Sequence, residues 1–514
     1  MVDFIIKRPM LLAALFSSAV AVISFYSQVM LLVLMLALLA CVFYLIYKRI
    51  NGALIFACLL ILAVAVSAFI TTNKADAISD LDGAYCEGEF IVTSEPENHG
   101  IFFAAELETV NSNALNKGQK LLVYYYKNDL ELSQIIKADI LLKSQKDAVF
   151  KRIDYANGIF IRGSVDNFEP TGKNDKVLSA LGSIRQYIKN KVFKKYSADT
   201  AATILALING DKSYLSNEFY NNVKGAGVAH VMVVSGMHLS IIISLCLYLC
   251  NKLFYNRLLK ALTILFVTVS VMAVCGFTMS IIRAGVTYIV MAVGLAIDRE
   301  NTPENTLGFA VSVILLVNPF CIFNVAFLLS VLSTFAILVV SIPVAEFLAS
   351  RQIVKSKILL AVISSVIISI STLIFTAPVT IYVFGYLSTV SVLTNLLIAV
   401  PVSLSMNLCI LGFVFPFLSA PLFVVSAAVT KYINGVINYF GSRKYSVVEM
   451  PVWTIFLFIT LIIVILWALV ACKVGLDVLK LKEIRNLKLK ERGRGIDGSG
   501  FRAGLKERNK KHRS

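Results

Sequence analysis

Residues 206–243 read ALINGDKSYLSNEFYNNVKGAGVAHVMVVSGMHLSIII, and the fold turns on how this stretch passes from polar to apolar. Ser216 is placed to cap a short amphipathic helix that ends at Gly225–Ala226–Gly227. An apolar segment then begins while still carrying His230, Ser235, Gly236 and His238. Polar groups at bilayer depth persist when they face a protein interior or a water-filled cavity. Gly236 removes a side chain where backbones or a substrate approach closely, and it permits a break in the helix. On a continuous helix the two histidines would lie about 12 Å apart, too far to share one ion. No metal or other cofactor is expected.

On either side the chain has the composition of a polytopic α-helical membrane protein. Of its 514 residues 58% are hydrophobic and 15% charged, which excludes a soluble domain with a polar surface to cover it. Apolar runs near 10–25, 28–47 and 52–70 precede the opening stretch. Others near 229–250, 259–275, 280–297, 304–318, 324–347, 358–377, 382–402, 404–418 and 451–471 bring the count to about twelve spans. Lys7, Arg8, Lys48 and Arg49, then Lys252, Arg257 and Lys260, then Arg351, Lys355 and Lys357 fall on alternate turns, which places both termini in the cytoplasm. Residues 424–440 carry Lys431, Asn434 and Asn438 on an otherwise apolar helix, at the interface or lining a cavity.

The spans divide the chain into N-terminal transmembrane helices (1–70), an extracytoplasmic domain (71–180), amphipathic interfacial helices (181–225), a second transmembrane domain (226–471) and a basic cytoplasmic tail (472–514). Within 80–170, five alternating runs predict a small all-β barrel such as an OB-fold: Tyr85–Thr93, Ile101–Val110, Lys120–Tyr126, Ala138–Lys143 and Gly158–Val165. Phe102, Phe103, Tyr124, Tyr125, Tyr126 and Phe160 serve either its core or a base-stacking platform. With 12 Lys+Arg against 17 Asp+Glu over 71–180, charge argues against phosphate binding there. Residues 183–196, SIRQYIKNKVFKKY, form a basic amphipathic helix that meets either headgroups or a passing polyanion. From Ala471 onward, 14 Lys+Arg against 5 Asp+Glu give an excess of +9, suited to anionic lipid or nucleic acid. The nine cysteines show no disulfide framework.

Four ordered blocks then resemble the ComEC-type competence proteins, the inner-membrane channels for DNA uptake in naturally transformable bacteria. The first is Gly210–Asp211–Lys212–Ser213, Lys224, Gly227, His230 and Ser235–Gly236–Met237–His238–Leu239, where Met237 and Leu239 are conservative departures. The second is Gly276, Phe277, Ser280, Arg283 and Ala284. The third is Asn318–Pro319 with Phe327–Leu328–Leu329–Ser330, Leu328 replacing the usual Gln. The fourth is Pro378, Phe384, Gly385, Asn395, Leu396 and Pro401. Asp154–Tyr155 with Gly158–Ile159 is similar to the motif that closes the family's outer domain, and Cys86, alone there, leaves no disulfide of the kind some relatives have.

The resemblance implies a channel for single-stranded DNA, with His230, Ser235, Gly236, His238, Gly276, Ser280, Arg283, Asn395 and Pro401 along the strand's path. It implies a DNA receptor, a cytoplasmic motor and a separate nuclease as partners beside membrane lipids, and leaves a homodimer open. Many relatives append a metallo-β-lactamase-like domain. With four histidines in the whole sequence and 44 residues from Ala471 onward, no nuclease and no other enzyme activity is expected here. The alternative is a secondary transporter or lipid-intermediate flippase, which would use membrane carboxylates. Between 226 and 470 the acidic residues, Asp298, Glu300, Glu304, Glu346 and Glu449, all lie near span ends. Arg283, costing about 2.5–3.5 kcal/mol at mid-membrane, either braces carbonyls near Gly276 or meets phosphates.

Overall fold

The computed structural model describes residues 8–47, 52–98, 102–126, 130–232, 236–253, 256–298, 302–351, 354, 356–469 and 471. The basic tail from 472, and Ser235, therefore lie outside the described residues. Residues 2–455 form one compact unit. The chain opens with three apolar helices, α1 (Pro9–Tyr26), α2 (Gln28–Tyr47) and α3 (Gly52–Ser79). Pro9 sits in the first turn of α1, where its missing N–H is no loss. Small residues let α1 and α3 approach closely: Ala13, Ala14 and Ala21 share a buried cluster with Ala57, Ala65 and Ala68. α3 runs on to Ser79, past the expected boundary at 70.

The β region follows as β1 (Tyr85–Val92), β2 (Glu97–Asn98), β3 (Phe103–Ser112), β4 (Lys120–Tyr125), β5 (Gln134–Lys143), helix α4 (Ala148–Ala156), β6 (Ile159–Ser164) and β7 (Phe168–Asn174). β1 pairs with β3, β3 with β4, β4 in parallel with β6, β6 with β5, and β5 back to β1. The five expected strands thus close a barrel. The sequence missed β7, a polar edge strand carrying Pro170, which pairs with β5. It also missed α4, which Asp147 caps through the amides of Val149 and Phe150. Alternation along β4 turns Leu121, Val123 and Tyr125 into the core and leaves Tyr124 outside. Of the six aromatics, Tyr125 and Phe160 are buried, Phe103 packs against the core, and Tyr126 is 70% exposed. Phe102 meets Tyr124 edge-on at 5.4 Å.

Beyond the barrel lie α5 (Lys176–Lys195), α6 (Ala198–Asn209), α7 (Asn217–Gly225), α8 (Gly236–Leu253), α9 (Arg257–Val274), α10 (Met279–Ala296), α11 (Pro303–Val317), α12 (Val325–Ala336), α13 (Ile342–Ser350), α14 (Lys357–Phe384), β8 (Tyr386–Ser388), α15 (Ser391–Val414), α16 (Ser419–Gly441) and β9 (Val447–Glu449), which pairs with β8. Most of the apolar helix α17 (Thr454–Leu469) belongs to a second unit. Among the described residues eight helices are long and apolar enough to cross a membrane, and five shorter helices are also apolar. This is a membrane protein.

Three expectations change in detail. The helix expected over 183–196 starts at 176, because Asp175 caps it through the amides of Val177 and Leu178. The spans expected at 382–402 and 404–418 merge in α15 (Ser391–Val414), while residues 382–384 end α14 and 386–388 form β8. Pro401 is held inside α15, while the chain reverses earlier, at left-handed Gly385 (φ 76°). In the span expected from 229, residues 229–232 make turns and the helix is described from Gly236.

The barrel docks on the helices through α4. Arg162 holds Asp154 by two hydrogen bonds, of 2.6 and 2.9 Å, and donates to the Tyr124 hydroxyl at 3.0 Å. That fixes Tyr155, whose ring meets Phe25 of α1, Phe160 and Phe320. The Asn318 side-chain amide donates to the carbonyls of Tyr155 (3.0 Å) and Ala156 (3.3 Å), and Asn324 donates to Asn157 at 2.9 Å. Two motifs far apart in sequence, Asp154–Tyr155 and Asn318–Pro319, are thus two halves of one joint. Arg152 completes it, its guanidinium 5.3 Å from the Phe25 and Tyr26 ring centres and 5.7 Å from that of Phe323. Arg152→Gln is expected to weaken the joint by about 1–2 kcal/mol, read as faster proteolysis between barrel and helices, with Arg152→Lys intermediate.

Candidate functional site

The opening stretch folds into two tight corners. α6 ends at left-handed Gly210 (φ 79°), and Asp211 turns its carboxylate onto the amide and hydroxyl of Ser213. Ser216 caps α7 through the Phe219 amide at 3.1 Å. At the end of α7, a Cβ on Gly225 would sit 2.4 Å from the Gly441 carbonyl oxygen. One on Gly227 (φ 71°) would sit 2.5 Å from the Ser391 Cβ. Only glycines let this corner nest against α15 and α16. Ser388 fastens it by donating to the Gly225 carbonyl at 2.7 Å.

From that corner the chain turns through exposed His230 and re-enters as α8 at Gly236. Gly236 faces α10, and a Cβ there would lie 2.6 Å from Nη2 of Arg283 and 3.2 Å from the Ala284 Cβ. Arg283 is 7% exposed, and its Nε donates to the Ser330 hydroxyl at 2.9 Å. One turn earlier Ser280 donates to the Ala326 carbonyl at 3.1 Å, so the same face of α10 is stitched twice to α12. His238 is buried on α8. The two histidines are not on one continuous helix, so the expected 12 Å spacing does not apply. Among the described residues no three His, Cys, Asp or Glu side chains converge as metal ligands.

The remaining expected residues lie elsewhere. The Asn395 amide joins α15 to α14 through the Ser369 hydroxyl at 2.8 Å, and Pro401 lies within α15. Of the two roles left open for Arg283, bracing carbonyls near Gly276 is filled by another residue. The arginine that binds carbonyls there is Arg185 of α5, with Nε to Val274 at 2.9 Å and Nη2 to Ala273 at 3.2 Å. It caps the negative end of α9, just before Gly276 (φ 78°) and Phe277 (φ 54°), both left-handed. Arg185→Met should therefore lower stability by about 1–2 kcal/mol, measured as an earlier midpoint of thermal aggregation, and Arg185→Lys should recover part of it.

Residues 207–473 match the family model described as Competence protein. The chain belongs to the competence protein family. It is 27% identical over 230 residues to ComE operon protein 3 of Bacillus subtilis, a match covering 45% of this chain and 28% of that protein. It is also 26% identical over 202 residues to Uncharacterized protein MG316 of Mycoplasma genitalium, covering 39% of this chain and 48% of that one. The chain thus spans less than half the length of either of these relatives. No solved structure matches.

A polar cavity lies at Lys431, Asn434 and Asn438, which were expected either at the interface or lining a cavity. It measures about 400 Å³ and is lined among others by Asp199, Tyr214, Glu218, Asn222, Lys431 and Asn438. Its walls are tied by Thr203 donating to Asn434 and Asn222 donating to Asn438, each at 3.0 Å. The signal was present, since Lys431, Asn434 and Asn438 interrupt an apolar helix on one face. α16 is nonetheless among the eight long apolar helices.

Proposed function

We propose that this chain is the inner-membrane channel through which single-stranded DNA enters during natural transformation. One observation carries the reading beyond family membership. Arg283 is buried in an apolar helix, yet among the described residues only its Nε is hydrogen-bonded, to Ser330. Its terminal amino groups lie beside Gly236, where a side chain would have excluded anything from approaching. A guanidinium offering paired donors suits a phosphodiester. In this reading the OB-like barrel stands outside the cell and about twelve helices span the bilayer. The termini are cytoplasmic, and a receptor, a motor and a nuclease are separate proteins. The transporter alternative gains no support, because Glu304 is held by Arg8 at 2.7 Å and Asp298 pairs with Arg257.

Deleting the gene in its host should abolish uptake of labelled DNA, and restoring this chain should restore it. Unchanged transformation in the deletion strain would overturn the proposal. A tag at the C-terminus should resist protease in intact cells, and cleavage from outside would overturn the topology.

A further inference from the structure

α7 is two-sided. Glu218, Phe219 and Asn222 face the polar cavity, whereas Tyr220 and Lys224, one turn apart, present a different side. Over that side folds Lys212, from the loop after α6. The Nζ of Lys224 lies 4.5 Å from the Tyr220 ring centre and that of Lys212 lies 6.0 Å from the same centre. Tyr386 of β8 stands close by. Both lysines are half-buried. Burial, and then the charge of Lys224, push the Lys212 ammonium below its ordinary pKa.

Two ammonium groups drawn to one ring repel each other, and a fold relieves that with a carboxylate. None does so here. Among the described residues neither lysine takes part in an ion pair. The nearest acid in sequence, Asp211, is turned onto Ser213. Glu449, opposite Tyr386 in the β8–β9 ladder, is exposed. The arrangement is a half-buried, doubly cationic notch.

We infer that Lys212 and Lys224 together bind a backbone phosphate of the incoming single strand, at a station distinct from Arg283. The inference rests on the channel reading and adds a substrate contact to it. Because the amines occupy the Tyr220 ring, the contact is to phosphate and not to a stacked base, and it is blind to sequence.

The test uses the full chain in nanodiscs of phosphatidylcholine, titrated with fluorescent oligodeoxythymidine at several salt concentrations. Each lysine replaced by Gln should weaken binding and flatten the dependence of log K on log salt by about 0.7. K212R/K224R should keep the slope, and an uncharged peptide nucleic acid of the same bases should not compete. An unchanged slope in K212Q/K224Q would overturn the station while leaving the channel reading intact. A wild-type protein that binds no oligodeoxythymidine would overturn both. If K212Q/K224Q binds DNA normally but no longer retains phosphatidylglycerol in mixed-lipid nanodiscs, the notch holds a lipid headgroup and the assignment to DNA is wrong.

Discussion

Arg283→Gln is expected to slow DNA uptake by about tenfold or more at equal membrane abundance of the protein. A hydrogen bond to a charged group is worth about 1.5–3 kcal/mol, and about 1.4 kcal/mol is a factor of ten. Gln can still reach Ser330, so α10 and α12 should stay joined while the charge beside Gly236 is lost. Arg283→Lys keeps the charge without the planar fork and should retain more uptake than Gln. Purified amounts and melting midpoints of the variants must be compared with those of the native chain. If both variants assemble normally and import DNA at the unmodified rate, Arg283 has no part in the path.

Gly308→Val is expected to do more damage still, and to act on the fold. A Cβ at Gly308 of α11 would stand 2.2 Å from the carbonyl oxygen of Met10 and 2.6 Å from the amide nitrogen of Leu11. Both are backbone atoms, so no rotamer change makes room, and α1 must move bodily off α11. The contact is fixed by Asn305, which accepts from the Met10 amide at 3.3 Å, and by the ion pair of Arg8 with Glu304. Overpacking at such a crossing costs about 3 kcal/mol. The expected result is loss of monodisperse protein on size exclusion in detergent, and a native-like profile would show that α1 is held less tightly than its contacts indicate.

Much of this architecture was legible because its signals are local. Apolar runs located most of the long helices, though not the end of α3 or the bounds of α15, and alternation gave all five barrel strands. The Ser216 cap and the glycine corner at 225–227 were readable from residue type alone. What escaped depends on partners distant in sequence. Nothing around Arg185 distinguishes a surface lysine-like role from a cap on a helix end 88 residues further on. Asp154–Tyr155 and Asn318–Pro319 each read as a motif, yet only the fold makes them one joint. Pro401 misled for the opposite reason. A proline that would end a helix in water is tolerated where neighbouring helices surround it. Of the expected path residues, Gly236, Ser280 and Arg283 gather around one crossing, whereas Gly276 and Asn395 serve other contacts.

The joint at Asn318 bears on speed. A recognition domain on a slack tether must be ordered each time its cargo is handed inward, and that ordering is charged against every encounter. Here the aromatic cluster of Phe25, Tyr155 and Phe320, the Asn318 bonds and the caged Arg152 settle the barrel's bearing on the helices at the moment of folding. On the channel reading proposed above, a strand reaching the barrel would meet a track already aligned, and throughput would follow how fast the strand is fed and drawn rather than the swing of an arm.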